Sequence, residues 1–230
     1  MNLLEIKGLT KTYGRRKKAL DNVNLNIKKG KIIGIFGANG SGKSTLLKIV
    51  SGLITSYKGE VLVEGNPISY KTKELISYLP DKSPLNPSDT IIGHANLYSD
   101  YFKDFDMELF LQIIEELNLD PKSKVKTLSK GNAEKVFLSL ALARRSKLYL
   151  LDEPIGGIDV KSREFILDLI LKNYNREGSL IITSHIINEM EKILDEVIFI
   201  KDGNIILHED INSIMERTNM NIEDYFKEVC

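Results

Sequence analysis

The 230-residue chain carries a single cysteine, Cys230, at its last position. An internal disulfide and a cysteine-built metal cluster are therefore excluded, and the composition fits a reducing, cytosolic compartment. A charge surplus is also lacking: 32 Lys and Arg face 32 Asp and Glu, for a net charge of zero. A generic nucleic-acid binder carries a basic excess, so no nucleic-acid partner is expected. Long hydrophobic runs are absent, since none approaches the ~20 residues that span a bilayer. The opening MNLLEIKGLTK places Glu5 where a signal peptide would be apolar, so no such segment is expected. Work at a membrane would then go through a partner.

Apolar patterning organises the rest. Residues 2–8, 19–27 and 59–65 alternate apolar and polar between turn signals, which predicts half-buried antiparallel strands. KIIGIF (31–36), LISYL (75–79), KLYLLD (147–152), SLIITS (179–184) and EVIFI (196–200) are apolar almost throughout, as strands of a parallel sheet covered on both faces are. Helical spacing falls between them at 43–52, 133–145, 161–175 and 186–193. That alternation predicts an α/β fold with right-handed crossovers. Residues 82–130 interrupt it with two amphipathic helical stretches, about 88–103 and 106–118, and 210–230 reads as two short helices.

GANGSGKST follows the strand KIIGIF and runs Gly37, Ala38, Asn39, Gly40, Ser41, Gly42, Lys43, Ser44, Thr45. It matches G-x-x-x-x-G-K-[ST], a phosphate-binding loop (Walker A). Its glycines let backbone N–H groups turn toward phosphate oxygens, and the next helix adds the positive end of its dipole. Lys43 would reach the β- and γ-phosphates and Ser44 would ligate Mg²⁺. The strand LYLLDEP ends in Asp152 and Glu153. Successive side chains on a strand point oppositely, so the two would not share a proton. In this class of site an Asp at the end of a neighbouring apolar strand holds the metal. Asp152 has that position, with Mg²⁺ reached through water, and Glu153 on the other side of the chain is free to activate a water.

The remaining motifs carry a family resemblance. TLSKGNAEK (127–135) resembles the LSGGQ signature of ATP-binding cassette (ABC) ATPases, and LYLLDEPIGGID the family's combined Walker B and D-loop, with Asp159 as the D-loop aspartate. IITSH ends in His185 at the switch-histidine position, KTYG puts Tyr13 where the family stacks adenine, and DEVIFIKDGNII matches the strand–turn–strand that follows. From about residue 2 to 207, five motifs stand in the family's order.

The resemblance implies a single P-loop NTPase domain with a mainly parallel core sheet, an N-terminal antiparallel β subdomain and an inserted α-helical subdomain. Residues 1–81 and 131–207 would form the RecA-like core with that β subdomain, 82–130 the helical subdomain, and 208–230 a helical tail. It further implies ATP hydrolysis with ATP and Mg²⁺, Glu153 as the base and His185 on the γ-phosphate. Ser129 and Gly131 would close on ATP held by a second cassette.

Two departures stand out. The signature reads LSKGN, with Lys130 in place of a glycine and Asn132 in place of the glutamine. In ISYLPDKSPL, Asp81 stands where the family has a glutamine near Mg²⁺ and the attacking water. Weaker basal hydrolysis, or dependence on a partner for closure, is expected from it.

Only about 85 residues separate phosphate loop and signature, with no coiled coil or zinc module and no second cassette. Such a chain resembles the detachable ATPase subunit of a bacterial transporter, a peripheral protein on the inner face of the cell membrane. Its partners would be a membrane permease and a second cassette, identical or related. The permease contact is expected near 82–103, with Tyr98, Tyr101 and Phe102 as interface residues. Cargo and direction lean toward export of peptides or antimicrobials. The alternatives are a regulatory module that binds ATP and scarcely hydrolyses it, and a soluble ATPase outside transport. His94 and His208 belong to no motif and read as surface residues.

Overall fold

The structure is a computed structural model that describes residues 2–14, 17–156, 158 and 160–230, with backbone only at 17, 160 and 161. Two β-hairpin partners, β1 (Asn2–Tyr13) and β2 (Lys17–Lys28), pair antiparallel and are joined by β4 (Lys58–Val63) and the short β5 (Asn66–Pro67) in the order β2-β1-β4-β5. Leu4, Ile6 and Leu9 of β1 are buried, while Glu5 and Lys7 face outward.

The second sheet orders β10-β9-β3-β8-β7-β6, comprising β3 (Ile32–Phe36), β6 (Ile76–Leu79), β7 (Leu148–Asp152), β8 (Ser179–Ser184), β9 (Glu196–Lys201) and β10 (Asn204–Asp210). All neighbours are parallel except β9 and β10. β7 and β8 are buried along their whole length, as the uninterrupted apolar runs require of strands covered on both sides. The expected α/β class and its antiparallel companion sheet are what the chain forms.

One apolar core lies between the two sheets and takes in Leu46, Leu47, Ile49 and Val50 of α1 (Lys43–Val50). The other covers the opposite face of the large sheet. There α5 (Lys130–Leu142) and α6 (Val160–Asn173) pack with α4 (Met107–Glu116) and α3 (Ile91–Tyr101). A single-turn α2 (Tyr70–Glu74) leads into β6, and the chain closes with α7 (Ile211–Thr218) and α8 (Ile222–Val229). Phe226 of α8 meets Phe199 of β9 edge-on, with ring centroids 5.0 Å apart.

Two readings need correction. Residues 186–193 form no α-helix: tight turns lead to a 3₁₀ segment, Glu191–Ile193. Met190 N–H bonds Ile187 O and Ile193 N–H bonds Met190 O, so three-residue turns bury Ile187, Met190 and Leu194 at the spacing a helix would use. His94 is 6% exposed, because it shares the inward face of α3 with Ile91 and Ala95, and its Nε2 lies 3.2 Å from Asn86 O. Tyr98 packs on Phe102 and Phe105, and Phe102 carries the Arg144 guanidinium 3.8 Å from its ring centroid, yet both stay partly exposed, and Tyr101 is 75% exposed.

Candidate functional site

The loop from Gly37 to Gly42 joins β3 to α1, so the first N–H groups of α1 open onto its hollow. At Gly42 the backbone has φ 117°, and a Cβ there would lie 2.5 Å from Ala19 O. Gly37 is required for a different reason: its Cβ would meet Ile200 O at 2.2 Å. Around this hollow lies a cleft of about 740 Å³, within the size range of small-molecule sites. Tyr13, Asn39, Gly40, Lys43, Ser44, Thr45, Asp81, Lys130, Glu153 and His185 line it.

Lys43, 6% exposed, donates through Nζ to Gly37 O at 2.6 Å and Ala38 O at 3.3 Å. Burial lowers its pKa from the ordinary range, and the charges of Glu153 and Asp152 partly oppose that shift. An ammonium held by carbonyls and facing two carboxylates is poised for phosphate oxygens.

Asp152 closes β7 with 1% exposure. Its Oδ1 accepts from Thr183 Oγ1 at 2.7 Å and from Ser44 Oγ at 3.0 Å, whereas Oδ2 is buried with no hydrogen-bond partner. A buried carboxylate oxygen left over beside a serine hydroxyl is costly alone and suits a hard divalent cation. The residues fit Mg²⁺ on that ground.

Strand alternation stops at Asp152, because Glu153 has φ 53°. Its N–H donates to Thr183 Oγ1 at 3.0 Å. Its carboxylate lies 2.9 Å from His185 Nδ1 through Oε2 and 3.9 Å from Lys43 Nζ through Oε1. The left-handed turn therefore puts Glu153 between the lysine and the histidine, at the wall of the cleft.

Tyr13, at the end of β1, is 45% exposed, and the Lys11 ammonium sits 5.0 Å from its ring centroid. Asp81 is exposed just beyond β6. Ser129 caps α5, its hydroxyl accepting from Asn132 N–H at 3.2 Å, and a Cβ at Gly131 would meet nothing within 4 Å. Neither lines the cleft of its own chain; Lys130, between them, does. Asp159 lies outside the described residues. Thr183 and Tyr78 went unread in the sequence, since only strand pairing brings them to Asp152. Burial, followed by the charges of Asp152 and Asp81, raises the Tyr78 phenol above its ordinary range.

The family model described as ABC transporter matches residues 20–156, which hold both the phosphate loop and the Asp152–Glu153 pair. The chain belongs to the ABC transporter family. It is similar to the lantibiotic transport ATP-binding protein SrtF of Streptococcus pyogenes, 30% identical over 227 residues, 97% of this chain and 96% of that protein. The manganese transport system ATP-binding protein MntB of Listeria monocytogenes is 33% identical over 208 residues, 86% of each. Among solved structures, the post-hydrolysis dimer of the cassette MJ0796 bound to ADP and Pi superposes with a TM-score of 0.78 at 27% identity. That match covers 90% of this chain and 98% of the other. This ABC ATPase is thus the ATP-binding subunit of a transporter. Among the described residues no helix is long and apolar enough to cross a membrane.

Proposed function

We propose that this ABC ATPase is one of two cassettes, identical or related, that close head to tail on two Mg-ATP and drive a separate membrane permease exporting peptides or antimicrobials. Residues 1–81 and 131–207 would act as the nucleotide-holding core, 82–130 as a helical subdomain and 208–230 as a tail. The chain itself would sit peripherally on the inner face of the cell membrane. The observation that carries the reading is the convergence of Lys43, Ser44, Asp152, Glu153 and His185 on one cleft.

On this reading Tyr13 stacks the adenine, and the loop Gly37–Thr45 wraps the phosphates with its N–H groups and Lys43. Mg²⁺, held by Ser44 and Asp152, would offset charge on the phosphates. Glu153 takes a proton from the attacking water through Oε1 or Oε2, while His185 keeps that carboxylate in place and reaches the γ-phosphate. Ser129 and Gly131 of the second cassette complete the clamp, which fits their position away from their own cleft; Asp159 would lie at the same junction. The lantibiotic-transport relative, aligned over 97% of this chain, supports a peptide antimicrobial as cargo. Permease contact is proposed at the groove of about 190 Å³ between core and helical subdomain, lined by Leu53, Tyr78, Tyr98, Phe102 and Arg144.

A second reading, an ATP-binding module with little hydrolysis, is favoured by Asp81 alone, which adds a negative charge to a cleft built for phosphates. Glu153→Gln separates the two. Loss of a general base costs roughly 10²–10⁴-fold in rate, so steady-state hydrolysis of Mg-ATP should fall by that factor while ATP binding is retained. A wild-type rate no faster than the variant's would favour the regulatory module.

A further inference from the structure

We propose that Tyr78 is a positioning residue for the Asp152 carboxylate, its phenol hydroxyl donating to Oδ2 from the neighbouring strand. The proposal rests on the Mg-ATP reading of the site.

β6 and β7 run parallel with Tyr78 opposite Leu150. Leu150 and Asp152 are two residues apart and share a face, so Tyr78 lies on that face diagonal to Asp152. A diagonal cross-strand neighbour is within reach of an aromatic side chain. Both ends of the reach are in need of a partner. Tyr78 Oη and Asp152 Oδ2 are each buried without a hydrogen bond. The charge of Asp152 acts on the phenol and helps to raise its pKa.

Tyr78 also sits in an unusual orientation. A tyrosine at a boundary commonly buries its ring and leaves its hydroxyl wet. Here Tyr78 borders the groove with Tyr98, Phe102 and Arg144, while its hydroxyl is buried. Packing alone would be served by phenylalanine, without the cost of a buried unpaired hydroxyl.

The chemistry at Asp152 gives the hydroxyl its task. Ser44 and Thr183 both bond Oδ1, so the carboxylate is gripped at one oxygen only. An ionised carboxylate oxygen offers about two acceptor positions. Oδ2 can accept from the phenol and still serve the metal, and a second grip stops the carboxylate from swinging. Groups that orient a metal ligand in this way are worth about 10- to 100-fold in metal affinity.

Tyr78→Phe removes the hydroxyl and keeps the ring. Mn²⁺ binding to the ATP-loaded protein would be followed by electron paramagnetic resonance. ATP affinity would be measured with a fluorescent analogue in Mg²⁺ and again in EDTA. Expected are a roughly tenfold loss of Mn²⁺ and Mg-ATP affinity and an unchanged affinity in EDTA. Metal affinity within twofold of wild type overturns the proposal, as do equal losses with and without metal, which would make Tyr78 merely structural. Asp152→Asn distinguishes the two levels. If it weakens the metal and Tyr78→Phe does not, only the role of Tyr78 fails. If it binds metal as wild type does, the reading of the site fails and this proposal with it.

Discussion

At Asp81 a single side chain sets an exposed negative charge among Lys43, Glu153 and His185. The same charge reaches Tyr78 and adds to the rise of its pKa. Glutamine would accept and donate hydrogen bonds at this place without repelling the γ-phosphate, and it is longer by one methylene. Asp81→Gln should therefore raise the basal kcat several-fold, the effect of about 1 kcal/mol on a barrier, with ATP affinity little changed. Steady-state hydrolysis at saturating Mg-ATP decides it: an unchanged rate would mean that Asp81 is no brake. Residue identity was enough to nominate Lys43, Ser44, Asp152, Glu153 and His185. It said nothing of Thr183, which reaches Asp152 only because β7 and β8 pair them in register.

Among the elements, the joint between the two sheets depends on Glu64. It follows β4 with φ 49° and receives ammonium donors from Lys147, at 2.7 Å, and from Lys29. Those two hydrogen bonds hold its carboxyl below the ordinary 4.5, that of Lys147 contributing most. A carboxylate with a depressed pKa in the folded state binds fewer protons there than when unfolded, so it stabilises above the unfolded value. The benefit is lost as pH falls through the folded value. Glu64→Gln should lower the thermal midpoint by about 2–4 °C at pH 7, for pairs worth about 1 kcal/mol together. The gap between variant and wild type should close below the ordinary carboxylate range, in thermal scans by circular dichroism. A gap that stays constant down to acid pH would show that the ion pairs contribute nothing. Elements with long apolar runs, such as β7 and β8, were legible from residue order. The segment after His185 was not, because an apolar period of three to four residues is met equally by a helix and by successive tight turns.

For the whole molecule, Ser129 and Gly131 at the start of α5 do not line their own cleft, which fits the proposed clamp with a second chain. Mass measured by light scattering should double when Glu153→Gln is mixed with Mg-ATP and remain that of a monomer without it. Adding Ser129→Arg should abolish that doubling while ATP binding persists, since the serine is exposed on the α5 cap and touches no core. Dimerisation unaffected by the arginine would place the contact elsewhere. Motif order and apolar period were sufficient for the family, the α/β class, the phosphate loop and the two carboxylates, because these depend on local spacing along a strand or a loop. The partners of Asp152 Oδ1, the left-handed turn that sets Glu153 beside His185, the burial of His94 and the register that sets Tyr78 opposite Leu150 arose from packing. Each depends on which strands lie side by side, and that is decided by the shape of the core rather than by neighbours in sequence.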